Sequence, residues 1–142
     1  MSKMNLNLMG QEVMITDNIP ITILSSMEIT SYIKGYHIYK NIWTPTQAEK
    51  LVGEMEPQNP VDKYAVAVKK GGIIVGHLPL GKNGKFAKTI FYFLRADKFG
   101  RCDISVTGSA VNLKDGDGMQ VPCVLRLSGQ KNIVDILMKQ LM

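Results

Sequence analysis

The chain has few of the residues from which active sites and cross-linked folds are usually built. It holds two cysteines and two histidines in 142 residues. Cys102 and Cys123 are too far apart for a short-spaced zinc motif and too few for a disulfide framework. No serine or cysteine lies in a recognisable nucleophile motif, and no phosphate-binding glycine loop is present. We therefore expect no enzyme, no metal and no cofactor, and we expect both cysteines to be buried free thiols.

Long apolar runs are also missing. No stretch approaches the roughly 18 apolar residues that a membrane-spanning helix needs, and the first residues show no signal-peptide cleavage pattern. Apolar residues make up 45% and charged residues 20% of the sequence, which is typical of a folded domain. We expect one intracellular domain without a membrane partner.

Basic residues are concentrated between residues 82 and 101. This segment has six basic residues and one acidic residue, so its surplus equals the net charge of +5 of the whole chain. A basic face favours an anionic partner such as nucleic acid, although a solvated helix surface carries the same pattern. Lys82 and Lys85 lie near the expected start of a helix, where a phosphate group is favoured.

Apolar periodicity predicts a mainly-β chain with flanking helices, an α+β arrangement. Strands are expected at residues 28–39, 51–55, 64–70, 73–78, 102–113 and 119–127. Helices are expected at 85–96 and 132–142, and a short helix is expected to begin with Thr44 as its N-cap. Gly71 and Gly72 favour a hairpin turn, and the strand after them is expected to be buried on both faces.

Short antiparallel connections favour a small β-barrel with one helix after its third core strand and another at the C-terminus. We expect a loosely ordered extension at 1–27, a domain at 28–130 and a terminal amphipathic helix at 131–142. The expected apolar face of the first helix is Phe86, Ile90, Phe93 and Leu94. That of the second helix is Ile133, Ile136, Leu137 and Leu141.

A loop bracketed by two prolines is the most informative stretch of the chain. It reads Glu56-Pro57-Gln58-Asn59-Pro60-Val61-Asp62. Each proline fixes its own φ angle and pushes the residue before it into extended geometry. The side chains of Asn59 and Asp62 are therefore held in place. They either cap the turn by accepting backbone N–H groups or present polar atoms to a ligand.

Residues 56–68 and the later run Val75-Gly76-His77-Leu78-Pro79 resemble the HIRAN domain family. The family pattern is acid-Pro-x-Asn-Pro-x-Asp-x-x-Ala-(Ile/Val)-x-Val, a short hairpin, and then (Val/Leu)-Gly-(His/Tyr)-(Leu/Ile)-Pro. The resemblance covers about residues 28–128. It implies an OB-like antiparallel β-barrel that captures the free 3′ end of single-stranded DNA in a groove, and a nuclear protein of DNA repair.

The resemblance also implies roles for individual residues. Asp62 would accept a hydrogen bond from the terminal 3′-hydroxyl group, and Asn59 would shape the pocket. His77 would lie at a phosphate or sugar, and Tyr36 or Tyr39 would stack on a base. The full set of expected nucleic-acid-binding residues is Tyr36, His37, Tyr39, Gln58, Asn59, Asp62, Lys63, His77, Lys82 and Lys85.

Three aliphatic residues depart from the pattern of the DNA-binding members. Ile38, Val61 and Met119 stand where aromatic residues are expected. The weaker stacking leaves a second class of function open, a protein-interaction or self-association module without DNA affinity. Its partner surface would be residues 1–27 or the terminal helix at 131–142. DNA-end recognition predicts salt-sensitive binding that prefers a free 3′-hydroxyl, and the second class predicts no such preference.

Overall fold

The structure of the protein is a computed structural model that describes residues 3–8, 11–16, 19–38, 43–115 and 118–142, with backbone alone for His37 and for residues before 23. The helices are α1 (Phe86–Ala96) and α2 (Lys131–Leu141), and short 3₁₀ turns cover Tyr36–Ile38 and Lys82–Gly84. The strands are β1 (Lys3–Leu8), β2 (Gln11–Thr16), β3 (Ile19–Ile33), β4 (Lys50–Glu56), β5 (Ala65–Lys70), β6 (Ile73–His77), β7 (Arg101–Val106), β8 (Val111–Asn112) and β9 (Met119–Gln130).

All described strand pairs are antiparallel and belong to one curled sheet. Its order is β1-β2-β3-β9-β7-β4-β5-β6, and β8 pairs with β9. The path from β3 to β6 returns to its start at an antiparallel bridge between Lys34 and His77. The two backbone N–H···O distances of this bridge are 2.8 and 3.0 Å. A mainly-β sheet that curls in this way, with one helix after β6 and one at the C-terminus, confirms the predicted fold class.

The core lies on one face of the curled sheet and is covered by the two helices. Side chains alternate along each strand, so one face of β7 and of β9 is almost fully buried. Cys102 and Cys123 belong to this face, and both are free thiols, as predicted. Burial raises the pKa of each thiol to about 12. Both cysteines are therefore protonated and unreactive at neutral pH.

The helices begin and end within one residue of their predicted bounds, but their buried faces differ from the prediction. In α1, Phe91 is buried, whereas the expected Phe86 and Leu94 are only partly buried. In α2, Val134 is fully buried and Ile136 is 58% exposed. Each helix packs against the sheet and against the other helix. The buried stripe is consequently rotated from the one that spacing alone predicts.

Asp97 connects the end of α1 to the start of α2. Its side chain is 1% exposed. Its carboxylate accepts hydrogen bonds from Phe99 N at 2.9 Å, Gln130 N at 2.7 Å and Gln130 Nε2 at 3.1 Å. A Cβ atom at Gly129 would lie 2.3 Å from Asp97 Oδ2, so only glycine allows this approach. A buried carboxylate is tolerated here because several donors satisfy it.

The segment after β3 differs from its predicted form. The strand expected to reach Tyr39 ends at Ile33 because Gly35 adopts a φ angle of +71°. This left-handed conformation is incompatible with a continuing strand. The chain forms a 3₁₀ turn at Tyr36–Ile38 instead.

The short helix expected from Thr44 is also wrong. Residues 43–49 contain no helix, and Gln47 and Ala48 form a turn. The carboxylate of Glu49 accepts hydrogen bonds from Trp43 Nε1 at 3.0 Å and from Thr46 N at 3.2 Å. Trp43 is buried and hydrogen-bonded to Glu49, and these contacts stabilise the turn relative to the expected short helix.

Two strands differ in detail from the prediction. The Gly71–Gly72 hairpin turn is confirmed, but Ile73 at the start of β6 is 54% exposed, so this strand is not buried throughout. The strand expected at 102–113 is interrupted after β7. Thr107 N donates to Pro122 O at 2.9 Å, and Pro122 has no N–H with which to continue the ladder.

The predicted boundary between residues 27 and 28 falls inside β3. This strand pairs with β2 through Ile19–Leu24 and with β9 through Leu24–Ile33. The division of the chain into three parts stays a prediction. Among the helices in the described ranges, none is long and apolar enough to cross a membrane.

Candidate nucleic-acid interface

The loop between β4 and β5 is organised by Asn59. Its side-chain oxygen Oδ1 accepts the N–H groups of Val61 and Asp62, each at 2.9 Å. Its Nδ2 donates to Glu56 Oε1 at 2.7 Å. These bonds occupy both lone pairs of the amide oxygen. Asn59 therefore caps the turn and holds Asp62 in position.

Glu56 ties this loop to β6. Its Oε1 lies 2.7 Å from His77 Nε2. Burial raises the pKa of Glu56, but hydrogen bonds from Asn59 and His77 lower it by more, so the pKa lies below its ordinary value. Because an ionised carboxylate can only accept, His77 Nε2 must carry the proton. Nδ1 is then the ring nitrogen of His77 that lacks a hydrogen bond in the described part of the chain.

Asp62 has one carboxylate oxygen fixed and one available. Oδ1 accepts the N–H group of Tyr64 at 2.9 Å, and the backbone carbonyl accepts that of Ala65 at 3.1 Å. Within the described ranges, no donor reaches Oδ2, and no lysine or arginine forms an ion pair with Asp62. The half-buried side chain therefore offers a hydrogen-bond acceptor in a defined position.

The backbone of Tyr36 lies close to Gly76, because β6 approaches the end of β3. A Cβ atom at Gly76 would lie 2.5 Å from Ile33 Cγ2 and 4.0 Å from Tyr36 N. Only glycine permits this approach. Tyr36 is half-buried, and its ring contacts Trp43 edge to face with 6.4 Å between centroids. Hydrogen bonds therefore bring Asn59, Asp62 and His77 into one region, whereas only the backbone of Tyr36 is placed against this strand, at Gly76.

For five other expected site residues, no described side-chain contact joins them to Asp62 or His77. Lys82 and Lys85 are exposed on the 3₁₀ turn before α1, where the backbone of Lys85 donates to that of Lys82 at 3.2 Å. Gln58 is exposed on the loop. Tyr39 lies outside the described residues, and the side chain of His37 is not described. The nucleic-acid-binding roles of all ten expected site residues stay predictions.

The three positions that depart from the family pattern face solvent. Val61 is 94% exposed, Ile38 is 71% exposed and Met119 is 39% exposed. A surface valine beside Asp62 contributes nothing to the core. It can make apolar contact with a flat ring, but it lacks the π-face on which a base stacks.

An aromatic and basic cluster lies beside the loop, and of its members only Lys63 is among the expected site residues. Tyr64 follows the loop, and its ring centroid lies 5.3 Å from that of Tyr92 on α1. Lys88 Nζ lies 4.6 Å and Lys63 Nζ 5.2 Å from the Tyr64 centroid. Arg95 Cζ lies 4.5 Å from the Tyr92 centroid. We call these five residues the aromatic–basic surface.

The two phenol groups of this surface influence each other. Their hydrogen bond lowers the pKa of Tyr64, with a further contribution from Lys63, and raises the pKa of Tyr92. The signal that could have found the surface is the spacing of Lys88, Tyr92 and Arg95. Residues that follow one another at intervals of four and three share one face of a helix.

A groove of about 600 Å³ lies elsewhere, on the sheet between β3, β4, β7 and β9. Its polar lining includes Lys50, Arg101 and Arg126. None of the expected site residues lines it. The candidate interface is therefore an exposed loop with adjoining surfaces, rather than this groove.

Comparison with known proteins identifies the class of fold. No protein-family model and no curated protein match the sequence. Among solved structures, the chain is similar to HIRAN domains and has a HIRAN-like fold. The matching structure is the crystal structure of the HIRAN domain of human HLTF, with a TM-score of 0.63 and 20% identity. The match covers 82% of this chain and 89% of that chain.

Proposed function

We propose that the protein is a nucleic-acid-binding module that captures the free 3′ end of single-stranded DNA at Asp62. The observation that carries this proposal is the available Oδ2 atom of a carboxylate whose other oxygen is fixed by Tyr64 N. An ionised carboxylate accepts hydrogen bonds and cannot donate them. It therefore suits a terminal hydroxyl group and repels a terminal phosphate.

The network around Asp62 supports this role by fixing the acceptor before the ligand binds. Asn59 holds the backbone of the loop, and Glu56 joins the loop to His77. Binding then requires little ordering of the protein, which lowers the entropic cost of association. In the proposed complex, the free ring nitrogen of His77 contacts the terminal sugar or phosphate, and Tyr36 contacts a base.

Charge supports a nucleic-acid partner. The segment from 82 to 101 holds the basic surplus of the chain, and Lys63, Lys82, Lys85 and Lys88 are exposed. Exposed cations attract a phosphate backbone and offset the repulsion between Asp62 and the DNA. Because Val61 and Ile38 replace aromatic stacking partners, we expect moderate affinity that depends strongly on salt.

Fluorescence anisotropy tests the proposal with a labelled single strand that ends in either a 3′-hydroxyl or a 3′-phosphate. The wild-type protein should prefer the hydroxyl. Asp62→Asn keeps an acceptor for Tyr64 N but places an NH₂ donor at the other position. This variant should lose the preference and bind the 3′-phosphate better than the wild-type protein does. Glu28→Gln is the matched control, since it removes an exposed carboxylate of β3.

The outcomes separate the alternatives. Weak and equal binding to both ends, lost as salt rises, would mean that only the basic surface contacts DNA and would refute end capture. Absence of binding at low salt would favour a protein-interaction module. The apolar face of α2 would be a poor surface for such a partner, because Val134 and Leu137 are already buried.

A further inference from the structure

The aromatic–basic surface is continuous with the loop that carries Asp62. Tyr64 donates its N–H group to Asp62 Oδ1, and its ring contacts Tyr92 on α1. Arg95 lies beyond Tyr92, one helical turn further along. A chain of direct contacts therefore leads from the proposed end-binding carboxylate onto the outer face of α1.

The cations of this surface differ from several others in the protein. Lys69, Lys70, Arg101 and Lys131 each form an ion pair with a carboxylate. For Lys63, Lys88 and Arg95, the described contacts are with tyrosine and phenylalanine rings instead. Their charge is not neutralised by an acidic side chain in the described part of the chain. The surface is consequently complementary to an anion.

Packing of α1 does not account for Tyr92. Helix contacts with the core are made by other residues, and Ile90, Phe91 and Phe93 are each no more than 4% exposed. Tyr92 is 36% exposed. A partly exposed aromatic ring beside unneutralised cations is the combination with which proteins bind single-stranded nucleic acid, through base stacking and phosphate contact.

We infer that the aromatic–basic surface is a second subsite for the same single strand, an inference that rests on the proposed 3′-end capture. The terminal nucleotide lies at Asp62, and the preceding nucleotides cross Tyr64 towards α1. A base stacks on Tyr92, and phosphates contact Lys88 and Arg95. Stacking of a base is stronger than an exposed cation–π contact, so a base can displace a cation from the ring.

Oligonucleotide length separates this subsite from the end site. Anisotropy is measured for oligothymidylates of three and ten nucleotides, each with a 3′-hydroxyl or a 3′-phosphate. Tyr92→Ala should weaken binding of the ten-nucleotide strand about 5- to 150-fold, the loss of one stacked base. It should leave the affinity for the three-nucleotide strand unchanged. Tyr92→Phe keeps the stacking ring and should bind both strands as the wild-type protein does.

Arg95→Ala tests the phosphate contact independently of the aromatic ring. It should weaken binding of the long strand and reduce the slope of log K against log salt by about 0.7, the value for one contact to a single strand. Lys139→Ala is the matched control, because it removes one exposed cation from α2. If circular dichroism shows that Tyr92→Ala does not fold, the second subsite is tested by the affinity and the salt slope of Arg95→Ala alone.

The two proposals fail in different ways. The second subsite would be overturned if Tyr92→Ala and Arg95→Ala weaken the binding of short and long strands equally. It would also be overturned if these variants change the binding of neither strand. The preference of the wild-type protein for the 3′-hydroxyl would then still report end capture. If the wild-type protein shows no preference for the 3′-hydroxyl, end capture is refuted, whatever effect the variants of α1 have.

Discussion

Replacement of Asn59 by alanine tests how the loop is held. The variant removes the acceptor of two backbone N–H groups and the donor to Glu56. In this partly exposed loop, water can replace part of each bond, so we assign about 0.5 kcal/mol to each backbone bond and about 1 kcal/mol to the bond with the charged carboxylate. The free energy of unfolding should fall by about 2 kcal/mol, which corresponds to a melting temperature lower by about 6 °C.

Urea denaturation and thermal unfolding measure this loss. Gln58→Ala is the matched control, because Gln58 is the exposed neighbour of Asn59. Its free energy of unfolding should stay within about 0.5 kcal/mol of the wild-type value. The same Asn59→Ala protein should show a weaker preference for the 3′-hydroxyl, since Asp62 N loses its acceptor. If the two variants are equally stable and equally selective, Asn59 does not organise the loop.

Three further predictions concern the frame of the domain. Asp97→Ala leaves two backbone N–H groups without their acceptor in a buried site, so chemical denaturation should show a loss of about 3 kcal/mol, and a loss below about 1 kcal/mol would contradict this role. Gly76→Ala places a methyl group 2.5 Å from Ile33 Cγ2 and should cost about 2 kcal/mol in the same assay, whereas an unchanged midpoint would mean that β6 can move away. For Glu56, the lowered pKa means that the hydrogen bonds from Asn59 and His77 to its ionised carboxylate stabilise the fold above the ordinary carboxyl range, and this stabilisation is lost as the pH falls through that pKa. Glu56→Gln should therefore flatten the fall in stability between about pH 5 and pH 3, and a variant that keeps the wild-type profile would refute this.

Features that depend on neighbours in sequence could be predicted, and those that depend on neighbours in space could not. Alternation around Cys102 and the apolar period of α1 identify a strand and a helix before any contact is known. The turn that follows Trp43 could not be predicted from local sequence. It depends on a hydrogen bond from Trp43 Nε1 to the carboxylate of Glu49, and this bond replaces the expected helix cap. Likewise, the rotation of α2 that exposes Ile136 is set by packing against the sheet and α1.

The candidate site divides in the same way. The prolines around Asn59 predict a rigid loop, and the structure shows that this loop closes on itself through the Asn59 side chain. The contact between Tyr64 and Tyr92 joins residues far apart in sequence and depends on how α1 lies against β5. No local sequence pattern specifies the orientation of α1 relative to β5. Loop chemistry could therefore be predicted, whereas the surface beside it required the fold.

The bridge between Lys34 and His77 has a kinetic consequence. It consists of two backbone hydrogen bonds, whereas β3 pairs with β9 along ten successive residues. The Lys34–His77 bridge has so few bonds that it opens at a lower free-energy cost than the β3–β9 pairing, by local fluctuation and without global unfolding. The imidazole of His77 belongs to the proposed end-binding site, so a ligand bound there holds the β6 side of the bridge in place. A bound strand end would then slow the exchange of both bridge amide protons with solvent, although neither amide is itself assigned a contact with DNA.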